Sequence, residues 1–145
     1  MVRRRKGQKW PGNAGATLLE ILVVLSIIAL LAAVVGPRVV GYLSRAKSTT
    51  TEMQLDNLKQ SLELFYVDLG RYPTEREGLQ ALVTAPGGLT GWSGPYLESS
   101  EGLADPWGRD YLYRAPGEAG RPFDVLSLGR DGVEGGQGED ADLKL

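Results

Sequence analysis

Two placements of carboxylates carry most of the chemical information in this 145-residue chain. The first is Glu20, the one charged residue in the apolar run LLEILVVLSIIALLAAVV. An ionised carboxylate at the centre of a spanning helix costs roughly 2.5–3.5 kcal/mol on insertion scales, so its presence demands a use. The second is the C-terminal stretch of residues 123–145, with six acids (Asp124, Asp131, Glu134, Glu139, Asp140 and Asp142) against Arg130 and Lys144. Glycines 129, 132, 135, 136 and 138 let its backbone fold tightly enough for carbonyls to face inward. Calcium takes roughly six to eight oxygen ligands from carboxylates, carbonyls and water, so this composition suits it far better than zinc. The spacing is not an EF-hand, because Asp131-Gly132-Val133 lacks the alternating acids and the bidentate Glu that closes one. On composition alone, a disordered acidic tail is the better reading of the stretch.

Other chemistry is excluded by what the chain lacks. It contains no cysteine and no histidine, which removes thiol and imidazole nucleophiles, thiol redox chemistry, disulfides and the common zinc sites. Asp124 with Asp131 is the one carboxylate pair considered for acid/base work, and no nucleophile pattern, phosphate-cradling loop or Gly-x-Ser-x-Gly turn accompanies it. The chain does not read as an enzyme. Charge is uneven: Arg3, Arg4, Arg5, Lys6 and Lys9 supply five of the 16 basic residues, and the remainder faces 18 acids. A domain that acidic offers no basic groove for nucleic acid.

The apolar run from Ile21 to Val35 is interrupted only by Ser26, and with Leu18, Leu19 and Glu20 it reaches the lower limit of a spanning helix. Positive charge on its N-terminal side keeps residues 1–15 in the cytoplasm and sends the rest outward. An ordinary signal peptide needs a small-residue cleavage site after the run, and LLAAVVGPRVV is a poor one, with Pro37 where the cut would fall. Cleavage before the run is the alternative.

A short basic leader, Gly15, an apolar segment and Glu20 five places after the glycine together resemble the class III signal of type IV pilins and type II secretion pseudopilins. The resemblance implies that prepilin peptidase cuts after Gly15 and methylates the exposed Ala16, where the family usually has Phe. It also implies a use for Glu20: its carboxylate meets the N-terminal amine of a neighbouring subunit, so that two charges costly alone in an apolar filament core are paired. The plainer alternative is a polar residue tolerated near the interface, where side chains snorkel to water.

Beyond the run, Leu55, Leu58, Leu62, Phe65 and Leu69 recur at steps of three and four, which lays an apolar stripe along one helical face. Gly70 follows as a C-cap. The pattern predicts one helix over about 17–69, kinked or locally melted where Pro37 removes the donor to the Ala33 carbonyl. Thr74 and Glu77 stand at capping-box spacing, so a short second helix is expected near Glu75. GWSGPYLE, DPWGRDYLYRAPG and FDVLSLGRDG then read as short strands punctuated by turns. Tyr72, Trp107, Tyr111 and Tyr113 read as core fillers, and Asp105 as a turn residue before Pro106.

RYPTEREGLQAL and DPWGRDYLY, in this order, resemble the major pseudopilins of type II secretion, the protein G family, and the likeness extends from Gly15 to Leu145. It implies an α+β, type IV pilin-like fold: a long N-terminal helix packed on a small antiparallel sheet, with a C-terminal calcium loop. Its parts would be a cleaved leader (1–15), a transmembrane and assembly helix (16–37) and a periplasmic domain (38–145). The resemblance places Ca2+ on Asp131, on the carbonyls of Leu128 and Val133, and on Asp140 or Asp142. It implies a single-pass protein of the bacterial inner membrane that polymerises into a helical pseudopilus to drive protein export. Its partners would be copies of itself, minor pseudopilins, the inner-membrane assembly platform and prepilin peptidase, with a cytoplasmic ATPase supplying the work. The alternatives are a type IV pilin or minor pilin in a surface fibre, and a monomeric membrane-anchored binding module.

Overall fold

The computed structural model describes residues 17–145, so Gly15 and Ala16 lie outside the described residues. The chain divides into two compact units, Met1–Val39 and Val40–Leu145. Helix α1 spans Leu18–Leu69. Strands β1 (Leu112–Arg114), β2 (Asp124–Ser127) and β3 (Leu143–Lys144) follow, interspersed with four short 3-10 turns.

In the first unit every described residue, 17 to 39, is exposed, and the α1 segment is long and apolar enough to cross a membrane. The helix runs unbroken through Gly36 and Pro37. Local melting is therefore absent: proline removes one donor from a 52-residue helix, and the hydrogen bonds on either side carry it across.

In the second unit the apolar stripe is the core. Leu55, Leu58, Leu62 and Phe65 are buried and pack with Leu79, Ala81, Leu82, Tyr111 and Val125, while Leu69 is partly covered. Side chains three and four apart share one helical face, which is why this periodicity builds the helix's share of the core. Ser61 lies on the same face and its hydroxyl donates to the Tyr96 carbonyl at 2.9 Å, tying the loop around Pro95 to α1. Gly70, at φ 67°, ends the helix with its N–H on the Tyr66 carbonyl at 2.8 Å.

The sheet is antiparallel with order β1-β2-β3. Its register pairs Tyr113 with Val125 and Ser127 with Leu143. Tyr111 and Tyr113 reach out of it to hydrogen-bond Gln54 and the Pro73 carbonyl, both at 2.8 Å, and burial pushes both phenols well above their ordinary pKa. Of the aromatics expected in the core, Tyr111 and Tyr113 thus fasten β1 and the residue before it to α1 and to the turn after it, and Tyr72 packs against the cluster. Trp107 instead stays half-buried outside it, under Lys47.

Two expected elements differ. GWSGPYLE is not a strand: the Tyr96 and Leu97 amides both go to the Leu82 carbonyl and Pro95 has none, so no ladder can form. The capping box does form, with the Thr74 N–H on Glu77 Oε2 at 2.7 Å and the Glu77 N–H on Thr74 Oγ1 at 3.3 Å. It opens only a turn, because Gly78 at φ 61°, ψ −170° leaves helical space, and the following Leu79–Leu82 is a 3-10 turn.

Arg71 clamps the box by placing Nη1 and Nη2 on the two Glu77 oxygens at 2.7 and 2.8 Å. That hydrogen-bonded pairing pulls the Glu77 carboxyl from 4.5 to about 2. A depressed folded pKa stabilises the fold above the unfolded value, and the contribution is lost as pH falls through the folded one. Glu77→Gln is expected to cost on the order of 1 kcal/mol at pH 7, a modest figure because the pair is part-exposed. Urea midpoints of both proteins from pH 7 to pH 2 should converge between about 4.5 and about 2. A gap independent of pH would assign the loss to packing instead.

Candidate functional site

Glu20 sits in the first turn of α1, and Thr17 prepares that turn. The Thr17 hydroxyl accepts the Glu20 N–H and its carbonyl accepts the Ile21 N–H, both at 3.2 Å. Thr17 is therefore the N-cap and Glu20 stands at the third helical position, where the unsatisfied amides of a helix start favour a negative charge. The carboxylate itself is exposed and has no ion-pair partner among the described residues. The Thr-x-x-Glu spacing, a capping pattern legible in the sequence, is the signal that the sequence reading used only further along, at Thr74.

The second site is the acidic loop, and it is anchored from below. Asp105 is buried; its Oδ1 accepts the N–H groups of Trp107 and Arg109, both at 3.0 Å, as expected of a turn residue. Its Oδ2 does more, accepting the Ser127 hydroxyl at 2.6 Å, and Ser127 Oγ in turn accepts the Gly129 N–H at 3.2 Å. Arg109 completes the anchor by donating to the carbonyls of Gly129, at 3.0 Å, and Arg130. No sequence spacing announces Arg109, which meets its partners some 20 residues away.

Within the loop the carboxylates divide into two groups. Asp131 Oδ1 accepts the Val133 N–H at 3.1 Å and Asp142 Oδ2 accepts the Gly135 N–H at 2.9 Å, so both hydrogen-bond the same short stretch of backbone. Asp140 has both oxygens on Arg130, Oδ1 to Nε and Oδ2 to Nη2, each at 2.9 Å, and Glu139 Oε2 takes Nη1 at 2.9 Å. The Leu128 carbonyl accepts the Gly132 N–H at 3.3 Å. No group of three or more acidic side chains among the described residues converges as a metal cluster. A hard cation here would have to draw on two carboxylates and backbone carbonyls, and Asp131 with Asp142 fits that donor set better than Asp131 with Asp140, whose oxygens are both on Arg130.

Asp124 belongs to a different network. It is fully buried in β2, with Arg121 Nη2 at 2.9 Å, Lys144 Nζ at 3.1 Å and the Glu118 N–H at 2.9 Å. The Glu118 amide first, then the two cations, hold its carboxyl below the usual range against the effect of burial. Glu118 also pairs with Lys144 at 2.8 Å and Arg114 at 3.3 Å, and Arg114 reaches Glu134 at 3.4 Å. The Asp124 carboxylate is thus committed to β3 and the turn before β2, and does not act with Asp131 as an acid/base pair.

Comparison with known proteins agrees with this architecture. Residues 38–145 match the family model described as type II secretion system protein G, and residues 10–36 match the prokaryotic N-terminal methylation motif. The type II secretion system core protein G of Xanthomonas campestris pv. campestris is 44% identical over 133 residues, which cover 92% of this chain and 90% of that protein. The core protein G of Pseudomonas aeruginosa is 41% identical over 136 residues, covering 90% and 93%. The crystal structure of the major pseudopilin from the type 2 secretion system of enterohaemorrhagic Escherichia coli superposes with a TM-score of 0.55 at 30% identity, over 72% of this chain and 90% of that one.

The loop's closure leaves no room for a side chain at Gly129. Gly129 has φ 62°, and a Cβ there would lie 2.6 Å from the Glu139 carbonyl oxygen and 2.9 Å from that of Ala141. Gly129→Ala is expected to destabilise the folded protein by about 2 kcal/mol or more, from left-handed strain and the backbone clash together. Chemical denaturation of wild type and variant measures this, and Gly135→Ala, which meets no atom within 4 Å, isolates the cost of positive φ alone.

Proposed function

The chain belongs to the protein G family of type II secretion systems, and on that premise we propose how its residues carry out the work of a major pseudopilin. The protein is a structural subunit, not an enzyme. Its basic leader, residues 1–15, is removed between Gly15 and Ala16 by prepilin peptidase, and Ala16 is methylated. Residues 16–37 anchor the chain as a single span of the bacterial inner membrane, with residues 38–145 in the periplasm. The subunits then leave the bilayer and stack head to tail into a helical pseudopilus, with minor pseudopilins and the inner-membrane assembly platform as partners. Identical subunits packed head to tail through two different surfaces give an open helix whenever the rotation does not close.

The observation that carries this reading is Glu20: an exposed carboxylate in an apolar helix start, without an ion-pair partner among the described residues. Pairing with the new N-terminal amine of a neighbour satisfies both charges and sets the register between subunits. The plainer role, a polar residue snorkelling to the interface, leaves assembly indifferent to the side chain. Glu20→Ala, expressed with a complete type II system, should insert and be processed to a chain beginning at Ala16 by mass spectrometry, yet build no filament and lower secretion at least tenfold. Normal secretion by the variant would overturn the pairing.

For the acidic loop the family and the donor set support calcium. Asp131 and the carbonyls of Leu128 and Val133 would hold it, with Asp142 closing the site and Asp140 as the alternative. The ion supplies positive charge to a stretch with six acids and two bases. Full-length protein in detergent should melt several degrees higher with calcium than with chelator, and Asp131→Ala should remove the difference. A full calcium response in that variant would show that the ion acts elsewhere.

A further inference from the structure

Arg130 is the one cation inside the acidic loop, and the proposed function gives it no role. Its guanidinium is forked: Nε and Nη2 meet both oxygens of Asp140 at 2.9 Å, and Nη1 meets Glu139 at 2.9 Å. The backbone repeats the contact, since the Arg130 N–H donates to the Glu139 carbonyl at 2.7 Å. Two glycines allow so close an approach. A Cβ at Gly129 would lie 2.6 Å from the Glu139 carbonyl oxygen, and one at Gly136 would lie 2.3 Å from that of Asp140. The root of the clasp is fixed as well, because Arg109 holds the carbonyls of Gly129 and Arg130.

We propose that Arg130, clasping Glu139 and Asp140 across the loop, is an internal latch that keeps the loop closed without a metal ion and withholds Asp140 from metal coordination. The latch rests on the observed ion pairs; only its consequence for ligand choice rests on the calcium reading. An isolated surface ion pair contributes little, because two long side chains must be ordered for one weak attraction. Here one guanidinium serves two carboxylates in a planar, bidentate arrangement, and the backbone has already brought the partners together. The arginine's side chain remains 58% exposed, so the latch is readily screened by salt and contributes modestly. Its effect is local: it decides whether residues 128–142 stay closed, not whether the domain folds. With the latch in place, loss of calcium relaxes the loop only in part. Asp142, whose Oδ2 lies on the Gly135 amide, is the carboxylate left to face Asp131.

Hydrogen exchange of the full-length chain in detergent tests the latch directly. In chelator at low salt, peptides covering residues 129–142 of Arg130→Gln should exchange about fivefold faster than wild type, with Arg130→Lys between them, while peptides from residues 55–65 are unchanged in all three. Equal exchange in wild type and Arg130→Gln would overturn the latch. Calorimetric titration with calcium chloride tests the ligand assignment. Asp140→Asn should alter the calcium Kd less than twofold and Asp142→Asn should raise it tenfold or more; the reverse order would return Asp140 to the ion. If wild type bound no calcium, the metal reading would fail by itself, and the exchange comparison in chelator would still decide the latch.

Discussion

Everything in the second unit, Val40–Leu145, depends on one face of α1. Leu55, Leu58, Leu62 and Phe65 bury almost their whole surface, and of the described strand residues Val125 alone is buried in the same cluster, with Tyr111 joining from just before β1. At about 25 cal/mol per Å² of apolar area, a core with so few large side chains leaves little stability to spread over the remaining loops. The region after Gly70 has only nine strand residues, so backbone ladders cannot hold it either. Polar ties take over. Ser61 holds the Pro95 loop, Tyr113 holds Pro73, and Asp105 joins the turn after Pro106 to the end of β2 through Ser127.

These ties explain why buried polar groups coexist with so small a core. Asp105 and Asp124 are each enclosed, and each oxygen of both has a hydrogen-bond donor or cation beside it. A buried carboxylate is costly alone and specifies geometry when fully partnered. Asp124 brings Arg121 and Lys144 together, and with them the turn before β2 and the short β3. Asp105 does the same for the root of the acidic loop, so that the loop's position is inherited from β2 and not from its own few contacts with solvent-exposed chain. Of the carboxylates that the sequence reading assigns to function, Glu20, Asp131 and Asp142 differ in this respect: all three are exposed.

What the sequence made legible follows from the range of the physics involved. The stripe on α1, its end at Gly70 and the Thr74–Glu77 box are local patterns, and each is present in the structure. Strands β1 and β2 lie within two of the expected stretches because tyrosine, leucine and valine recur there between turns. The short helix near Glu75 was misread because the box fixes only how a helix starts, and the left-handed Gly78 ends it at once. GWSGPYLE has the composition of a strand and no neighbour to pair with, a fact that depends on where Leu82 and Ser61 lie in space. The same holds for the site. Glycines and acids announced a loop suited to a hard cation, but which acid meets Arg130 is decided by a closure ten residues long that no periodicity encodes.

Glu20 and Asp124 show two ways for one chain to keep a carboxylate in an unfavourable setting. Asp124 is satisfied within the fold, by groups that reach it from a turn and a neighbouring strand. Among the described residues Glu20 receives only the help of the helix start, worth about 0.3–1 kcal/mol near an exposed N-terminus, which is less than the roughly 2.5–3.5 kcal/mol that a charge costs at the centre of a spanning helix. The shortfall is what makes it useful. A charge satisfied inside its own chain would give a subunit no reason to prefer one neighbour position over another. A charge left without a cation favours whichever arrangement brings one to it, and in the proposed pseudopilus the amine at Ala16 of the next subunit would be that cation. Apolar surfaces such as residues 21–35 attract each other in many registers, because burial is non-directional. One unsatisfied carboxylate at a fixed depth in that surface is enough to select among them.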